Sequence, residues 1–185
     1  MIIPQHVYLV SMVTFPGSIV HAYTRQLFCR LMGVPVYETV YFTLKSPVKY
    51  VKREALPPGK TFALICLSWL LDVLLGAALL VPASLTLFRF GAFTAAEPWA
   101  ALLNPLAFWV GFSILVHSFP NREELNELRD HVLANKEAPG ILRVLTAPLY
   151  LMMLIGSWGE ILFLNVVFAV VVALLTPGIV RALWP

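Results

Sequence analysis

The stretch TFALICLSWLLDVLLGAALLVP, residues 61–82, contains a single charged side chain, Asp72, in an otherwise apolar run. A helix needs about 20 predominantly apolar residues to cross the hydrocarbon core of a bilayer, and this stretch supplies them. Other apolar runs lie at residues 7–20, 99–119 and 141–184, and the charged residues gather between the runs. The sequence therefore predicts an all-α polytopic membrane protein with four or five transmembrane helices, forming a single transmembrane domain over residues 1–185.

The composition of the whole chain agrees with a bilayer environment. Of the 185 residues, 59% are hydrophobic and 12% are charged, and the mean hydropathy is +0.82. A soluble domain of this length needs far more polar surface. The net charge of +3 does not indicate a nucleic-acid partner, because the basic residues lie mostly between the apolar runs. Cys29 and Cys66 lie in or beside apolar segments and are expected to be buried thiols.

The segments at the ends of the apolar runs predict further structure. The first helix is expected to continue to residue 32 and to stop at Gly33. Residues 34–44, VPVYETVYFTL, are rich in β-branched and aromatic residues and predict a strand or a short β-hairpin. Residues 84–98 are predicted to form a connecting loop. The Gly-Ser-Trp-Gly sequence at residues 156–159 is the expected break in the last apolar run, which is too long for one span.

A polar segment after the third span has the pattern of an amphipathic surface helix. It reads NREELNELRDHVL, residues 121–133. Asn121 can cap its first turn, and two glutamates follow, where acidic residues are favourable. Leu125, Leu128 and Val132 form an apolar stripe. The segment is therefore predicted to lie on the surface of the protein or of the membrane.

The distribution of lysine and arginine predicts the orientation in the membrane. The connection after the first span carries Arg25, Arg30, Lys45, Lys49, Lys52, Arg53 and Lys60, whereas the next connection carries Arg89 alone. Because cytoplasmic loops carry an excess of these residues, the loop of residues 25–60 is predicted to be cytoplasmic. A bacterial or organellar inner membrane, or a plasma membrane, is the expected location.

Three ionisable side chains in or near the spans are candidates for chemistry. Asp72 lies in the middle of its span, where a charged group must face a partner or a polar cavity. One interpretation is an interhelical pair, for example with Arg25, or a proton-sharing carboxyl that stays neutral. The other is a metal ligand or proton relay. His21 and His117 each lie near the end of a span, where an interfacial hydrogen bond is the commoner role of a histidine.

Two segments give the chain a resemblance to a known family. FPGSIVHAYTRQLFCRLMGVPVYE, residues 15–38, and WVGFSILVHSFPN, residues 109–121, resemble conserved segments of small site-2-protease-like intramembrane zinc metalloproteases. In that family an apolar helix carries the motif H-E-x-x-H and is followed by a β-hairpin at the membrane surface. The two histidines bind zinc, and the glutamate is the general base. The resemblance implies that a residue of a later span approaches the same centre.

The catalytic residues of the resembled motif are absent from this chain. The corresponding residues are His21, Ala22 and Arg25, so only His21 matches a metal-binding position. Alanine cannot take a proton, and arginine is a permanent cation that cannot ligate a metal. Asp72 or His117 could be what remains of the third ligand position. We therefore expect no catalytic residue, no bound metal and no cofactor.

These observations favour one function and leave a second open. The favoured function is a catalytically inactive, metalloprotease-like membrane protein that acts as a binding, assembly or accessory subunit of a larger membrane complex. Its expected partners are the lipid bilayer and other membrane protein subunits. The alternative is an active intramembrane enzyme or small transporter that uses a polar cavity around Arg25, Asp72 and His117.

Overall fold

The fold is known from a computed structural model, which describes residues 5–41, 50–89, 98–162 and 164–183. The described chain is largely helical, and one two-stranded antiparallel sheet joins strands β1 (Val36–Val40) and β2 (Tyr50–Arg53). A π-helical segment, Arg129–Leu133, directly follows the fifth helix. The α-helices, in chain order, are α1 (Gln5–Val13), α2 (Phe15–Leu31), α3 (Pro58–Arg89), α4 (Pro98–Val116), α5 (Arg122–Leu128), α6 (Gly140–Leu162) and α7 (Leu164–Leu183).

The first apolar run forms two helices in place of the single helix predicted from the sequence. The division falls at Thr14, where α1 ends and α2 begins. Pro16 lies in the first turn of α2, a position that tolerates proline because its missing N–H has no partner there. Gly33, with φ of +66°, follows the end of α2 and confirms the predicted stop. Of the two structures predicted for residues 34–44, the single strand is confirmed, because β1 lies within this range and its partner β2 lies after it.

The prediction of a loop over residues 84–98 is wrong at its beginning, because α3 continues to Arg89. Pro82 lies inside this helix, although it was expected to end the span. A proline inside a helix removes one hydrogen bond, here the one to the carbonyl oxygen of Ala78, and α3 continues without it. The hydroxyls of Ser84 and Thr86 donate to the carbonyl oxygens of Val81 and Pro82, at 2.9 Å in both cases. Residues 90–97 of the predicted loop lie outside the described residues.

Helices α3 and α4 pack closely because glycines line their contact. A Cβ atom added to Gly111 would lie 2.6 Å from the backbone nitrogen of Leu80 and 2.9 Å from the carbonyl oxygen of Gly76. No larger residue fits at Gly111 unless the two backbones separate. Small residues at such contacts are typical of helix packing within membranes.

The predicted amphipathic helix is confirmed and lies against the protein. The Asn121 side chain accepts from the backbone nitrogen of Glu124, and the Glu124 side chain accepts from that of Asn121, which forms a capping box. The buried side chains Leu125, Leu128 and Val132 pack on α3 and α6, where they contact a cluster formed by Ile65, Cys66 and Met153.

The predicted break at residues 156–159 is wrong, because α6 continues through these residues to Leu162. A glycine within a helix costs only about 1 kcal/mol relative to alanine, so it does not have to end one. Gly156 serves packing instead. A Cβ atom at this position would lie 2.1 Å from the ring of Phe119.

Two helical segments, Pro58–Leu87 and Gly140–Ser157, are long and apolar enough to cross a membrane. Shorter apolar helical segments occur at Ala101–Val116 and Leu164–Leu175. Many large aliphatic side chains on these helices are exposed, for example Leu151 at 59% and Ile155 at 65%. These outer faces have the character of surfaces that contact lipid.

Candidate functional site

The site predicted from the sequence lies on α2, where this helix packs between α3 and α4. His21, Ala22 and Arg25 are all buried. Because residues three and four apart share one face of a helix, the side chains of His21 and Arg25 point to the same side of α2. The first and fifth positions of the resembled motif, His21 and Arg25, are thus brought into one buried, polar centre with residues of other helices.

Asp72 of α3 belongs to this centre because its side chain contacts that of His21. The Nδ1 atom of His21 lies 2.8 Å from Oδ2 of Asp72. The Thr24 hydroxyl lies 2.8 Å from the other carboxylate oxygen and 2.9 Å from the carbonyl oxygen of His21. An ionised carboxylate only accepts hydrogen bonds, so opposite an ionised Asp72 the ring carries a proton on Nδ1. The side chain of Asp72 is completely buried, so these bonds stabilise a charge that water does not reach.

Arg25 is paired with Glu124 of α5 and not with Asp72, the partner expected from the sequence. Its Nε atom lies 3.0 Å from Oε1 of Glu124, and Nη2 donates to Oε2 at 3.1 Å. Its Nη1 atom faces the carbonyl oxygens of Leu64 and Ile65 on α3, both at 3.4 Å. The guanidinium group therefore links α2, α3 and α5. Of the two contacts with Glu124, only that of Nη2 has the geometry of a hydrogen bond, and that of Nε is an ion pair by distance.

Glu124 is the residue of the site that sequence reasoning missed. Its position in the capping box of α5 was visible in the spacing from Asn121, and that local role is confirmed. The same carboxylate also binds Arg25 and lies 4.0 Å from Nε2 of His21. No periodicity or local motif gives this second role, because it depends on how α5 docks against α2.

His117 forms a contact at a different level of the bundle. Its Nε2 atom lies 2.9 Å from the hydroxyl of Thr14, at the junction of α1 and α2. Thr14 precedes His21 by seven residues, which is about 10 Å along a helix. The indole nitrogen of Trp109 on α4 donates to the carbonyl oxygen of Val13 at 2.9 Å, so Trp109 and His117, which directly follows α4, both contact this junction. His117 is thus a structural hydrogen-bonding residue at the junction.

A cavity of about 300 Å³ lies beside Arg25, between α2, β2, α3 and α5. A second ion pair lines this cavity. Its Arg53 Nη2 atom lies 2.7 Å from Oε2 of Glu127. Within the described part of the chain, the lining includes neither Asp72 nor His117. The side chains that line the cavity are those of Arg25, Cys29, Arg53, Glu54, Ala55, Leu64, Asn121, Glu123, Glu124, Glu127 and His131.

The cysteines and carboxylates of the described residues do not form a recognisable metal centre. Cys29 and Cys66 are free, buried thiols, as predicted. In residues 5–41, 50–89, 98–162 and 164–183, no three side chains of the His, Cys, Asp and Glu types are grouped to hold a metal ion. We assign none of the side chains of the centre as a metal ligand.

Comparisons with known proteins add no relative to this description. No family model, curated protein or solved structure matches the chain.

Proposed function

We propose that this chain is a catalytically inactive, metalloprotease-like membrane protein that serves as a binding, assembly or accessory subunit of a larger membrane complex. The observation that carries the proposal is the position of Arg25. Its guanidinium group fills the centre and is held by Glu124 and by two carbonyl oxygens of α3. A catalytic metal site keeps an open position for water or substrate. A permanent cation in contact with three elements serves structure and not hydrolysis.

The residue that follows His21 supports the same proposal. Ala22 is buried, and its methyl group can neither accept nor donate a proton. A hydrolytic centre needs a base that activates water, and the resembled motif places that base at this position. Loss of the base together with replacement of a ligand by Arg25 removes both parts of the mechanism.

An enzyme or small transporter is the second candidate, and the cavity beside Arg25 is the observation that favours it. Its volume is at the lower end of the range for small-molecule sites. The cavity is lined by Arg25, however, without Asp72 or His117 in its described lining. Arg25, Asp72 and His117 therefore do not line this cavity together, which favours the binding subunit over an enzyme or transporter.

Co-purification from native membranes tests the proposed function. A tagged chain of 20.6 kDa, extracted in mild detergent, should migrate in a larger complex with another polypeptide at constant stoichiometry. A tag on that second polypeptide should recover this chain in turn. The His21→Gln variant should retain the partner, because binding requires no catalysis. A monomer in several mild detergents, or a substrate cleaved by the wild type alone, would contradict the proposal.

We also propose that the chain crosses the membrane four or five times, with residues 25–60 on the cytoplasmic side. The lysine and arginine excess of that loop supports the orientation. Single cysteines introduced by Lys49→Cys and Thr94→Cys, with Cys29 and Cys66 replaced by alanine, report the two sides. Lys49→Cys should react with an impermeant thiol reagent only from the cytoplasm, and Thr94→Cys only from outside. Labelling of both positions from one side would rule out this topology.

A further inference from the structure

The exposed face of α2 is apolar along its length and ends in a cation. Ile19 and Tyr23 are 39% and 55% exposed, and Arg30, in the last turn of the helix, is exposed as well. At about 100° per residue, these three side chains lie within about 40° of one another around the helix axis. An apolar helix face that ends in arginine is typical of a helix whose side contacts acyl chains and whose end lies among lipid headgroups.

Lys60 brings a second cation to the same end of α2. It belongs to the first turn of α3, and its Nζ atom donates at 3.0 Å to the carbonyl oxygen of Met32, the residue that caps α2. Leu31, which lies between Arg30 and Met32 in the sequence, is 71% exposed. The end of α2 therefore presents two cations beside an exposed aliphatic side chain.

Neither of these cations is neutralised by a carboxylate of the described residues. There the Arg30 guanidinium group makes no ion pair or hydrogen bond, and Lys60 donates only to the Met32 carbonyl oxygen. The carboxyl end of a helix favours a nearby cation, and the Lys60 bond already supplies one. Three other arginines each contact a carboxylate, namely Arg25, Arg53 and Arg129. Arg30 and Lys60 are thus suited to an anion from outside the chain.

The length of the apolar face favours a lipid as that anion. From Ile19 to Arg30 the face extends about 16 Å, at 1.5 Å per residue. One leaflet of a bilayer contributes about 15 Å of hydrocarbon, half of a core of about 30 Å. Cations at one end of such a face lie where a phospholipid carries its phosphate, and the side chains of the face lie where it carries its acyl chains.

We propose that Arg30 and Lys60 form a binding site for the phosphate of one anionic phospholipid, whose acyl chains lie on the face of Ile19 and Tyr23. Arginine can bind two phosphate oxygens in parallel, and lysine adds a point charge. Anionic lipids are enriched in the cytoplasmic leaflet, where basic side chains near the surface attract them. The site rests on the proposed topology, in which residues 25–60 are cytoplasmic, and it requires no partner subunit.

Native mass spectrometry of the purified chain, titrated in detergent with single phospholipids, tests the proposal. Phosphatidylglycerol and phosphatidylcholine with the same acyl chains both contain a phosphate, but only phosphatidylglycerol has a net charge. The wild type should bind one phosphatidylglycerol roughly 20-fold more tightly than phosphatidylcholine, because each cation contributes about fivefold. Arg30→Gln and Lys60→Gln should each weaken phosphatidylglycerol binding by about fivefold, and the double variant should lose the preference. Equal binding of the two lipids by the wild type would overturn the proposal.

Two basic residues of the segment after α4 provide matched controls. Arg129 and Lys136 are both exposed, and Arg129→Gln or Lys136→Gln removes one positive charge without touching the end of α2. Both variants should keep the preference for phosphatidylglycerol. A loss equal to that of Arg30→Gln would show that the lipid responds to total charge, and the proposed site would be wrong.

A soluble headgroup distinguishes a lipid from a free phosphate ester. Millimolar glycerol 3-phosphate should leave the bound phosphatidylglycerol in place, because it lacks the acyl chains. Its displacement of the lipid would overturn the assignment of a phospholipid. The wild-type titration uses the isolated chain, whereas the proposed subunit function is tested by co-purification from native membranes. Failure of the lipid site and failure of the subunit function therefore give separate results.

Discussion

Replacing Arg25 with leucine is expected to lower the free energy of unfolding by about 3–5 kcal/mol, the usual cost of removing one partner of a buried ion pair. The substitution leaves the carboxylate of Glu124 without its cation and removes the contacts with two carbonyl oxygens of α3. Titration with a denaturing detergent in mixed micelles measures the change. Arg129→Leu is the control, because Arg129 and its partner Asp130 are 51% and 55% exposed. Water and salt screen an exposed pair, so Arg129→Leu should leave the free energy of unfolding nearly unchanged.

A double-mutant cycle separates the two possible partners of Arg25. The double variant Arg25→Leu/Glu124→Leu should lose much less free energy of unfolding than the two single variants together, because the two groups form one pair. The losses in the double variant Arg25→Leu/Asp72→Leu should be closer to additive, since the carboxylate of Asp72 is bonded by His21 and Thr24. A larger coupling with Asp72 than with Glu124 would favour the pairing expected from the sequence and contradict the observed geometry.

The Gly17→Ala substitution is expected to destabilise the protein by roughly 3 kcal/mol, at the upper end of the usual range for overpacking. A Cβ atom on Gly17 would lie 1.9 Å from the carbonyl oxygen of Ser113 and 2.3 Å from its carbonyl carbon. These are backbone atoms, so α2 and α4 must separate to admit a methyl group. The separation would also disturb the contacts that hold the junction of α1 and α2.

Gly59 is the matched control for Gly17. It lies in the first turn of α3, and a Cβ atom added there would have nothing within 4 Å among the described residues. Gly59→Ala should leave stability unchanged or raise it by up to about 1 kcal/mol, because alanine favours the helix. Thermal unfolding in detergent compares the two variants directly. If Gly17→Ala is tolerated as well as Gly59→Ala, the close contact between α2 and α4 is not present in the protein.

Local sequence patterns predicted the elements of this fold well. The length of the apolar run around Asp72 indicated α3, and the β-branched residues after Gly33 indicated strand β1. The stripe of Leu125, Leu128 and Val132 indicated the amphipathic helix. Each of these signals lies within one segment, where periodicity and capping act. The errors at Pro82 and Gly156 have a different origin. Both residues usually interrupt helices, yet α3 continues through Pro82 and α6 through Gly156.

The site could be predicted only in part, because its contacts join distant segments. The sequence singled out His21, Arg25 and Asp72 as unusual residues in apolar surroundings, and the structure brings them to one centre. It could not assign their partners. Arg25 and Glu124 are separated by 99 positions, and Glu124 already had a sufficient local role in its capping box. Which carboxylate meets the guanidinium group depends on the docking of α5.

The metal content of the purified protein tests the proposal of an inactive, metal-free centre most directly. Protein extracted from membranes in mild detergent, without chelator and with zinc available during growth, should contain well under one zinc per chain by elemental analysis. Arg25 and Glu124 occupy the centre, and Ala22 provides no base. The His21→Gln variant should give the same low value. One zinc per wild-type chain that resists mild chelation, and that is lost in His21→Gln, would contradict the account.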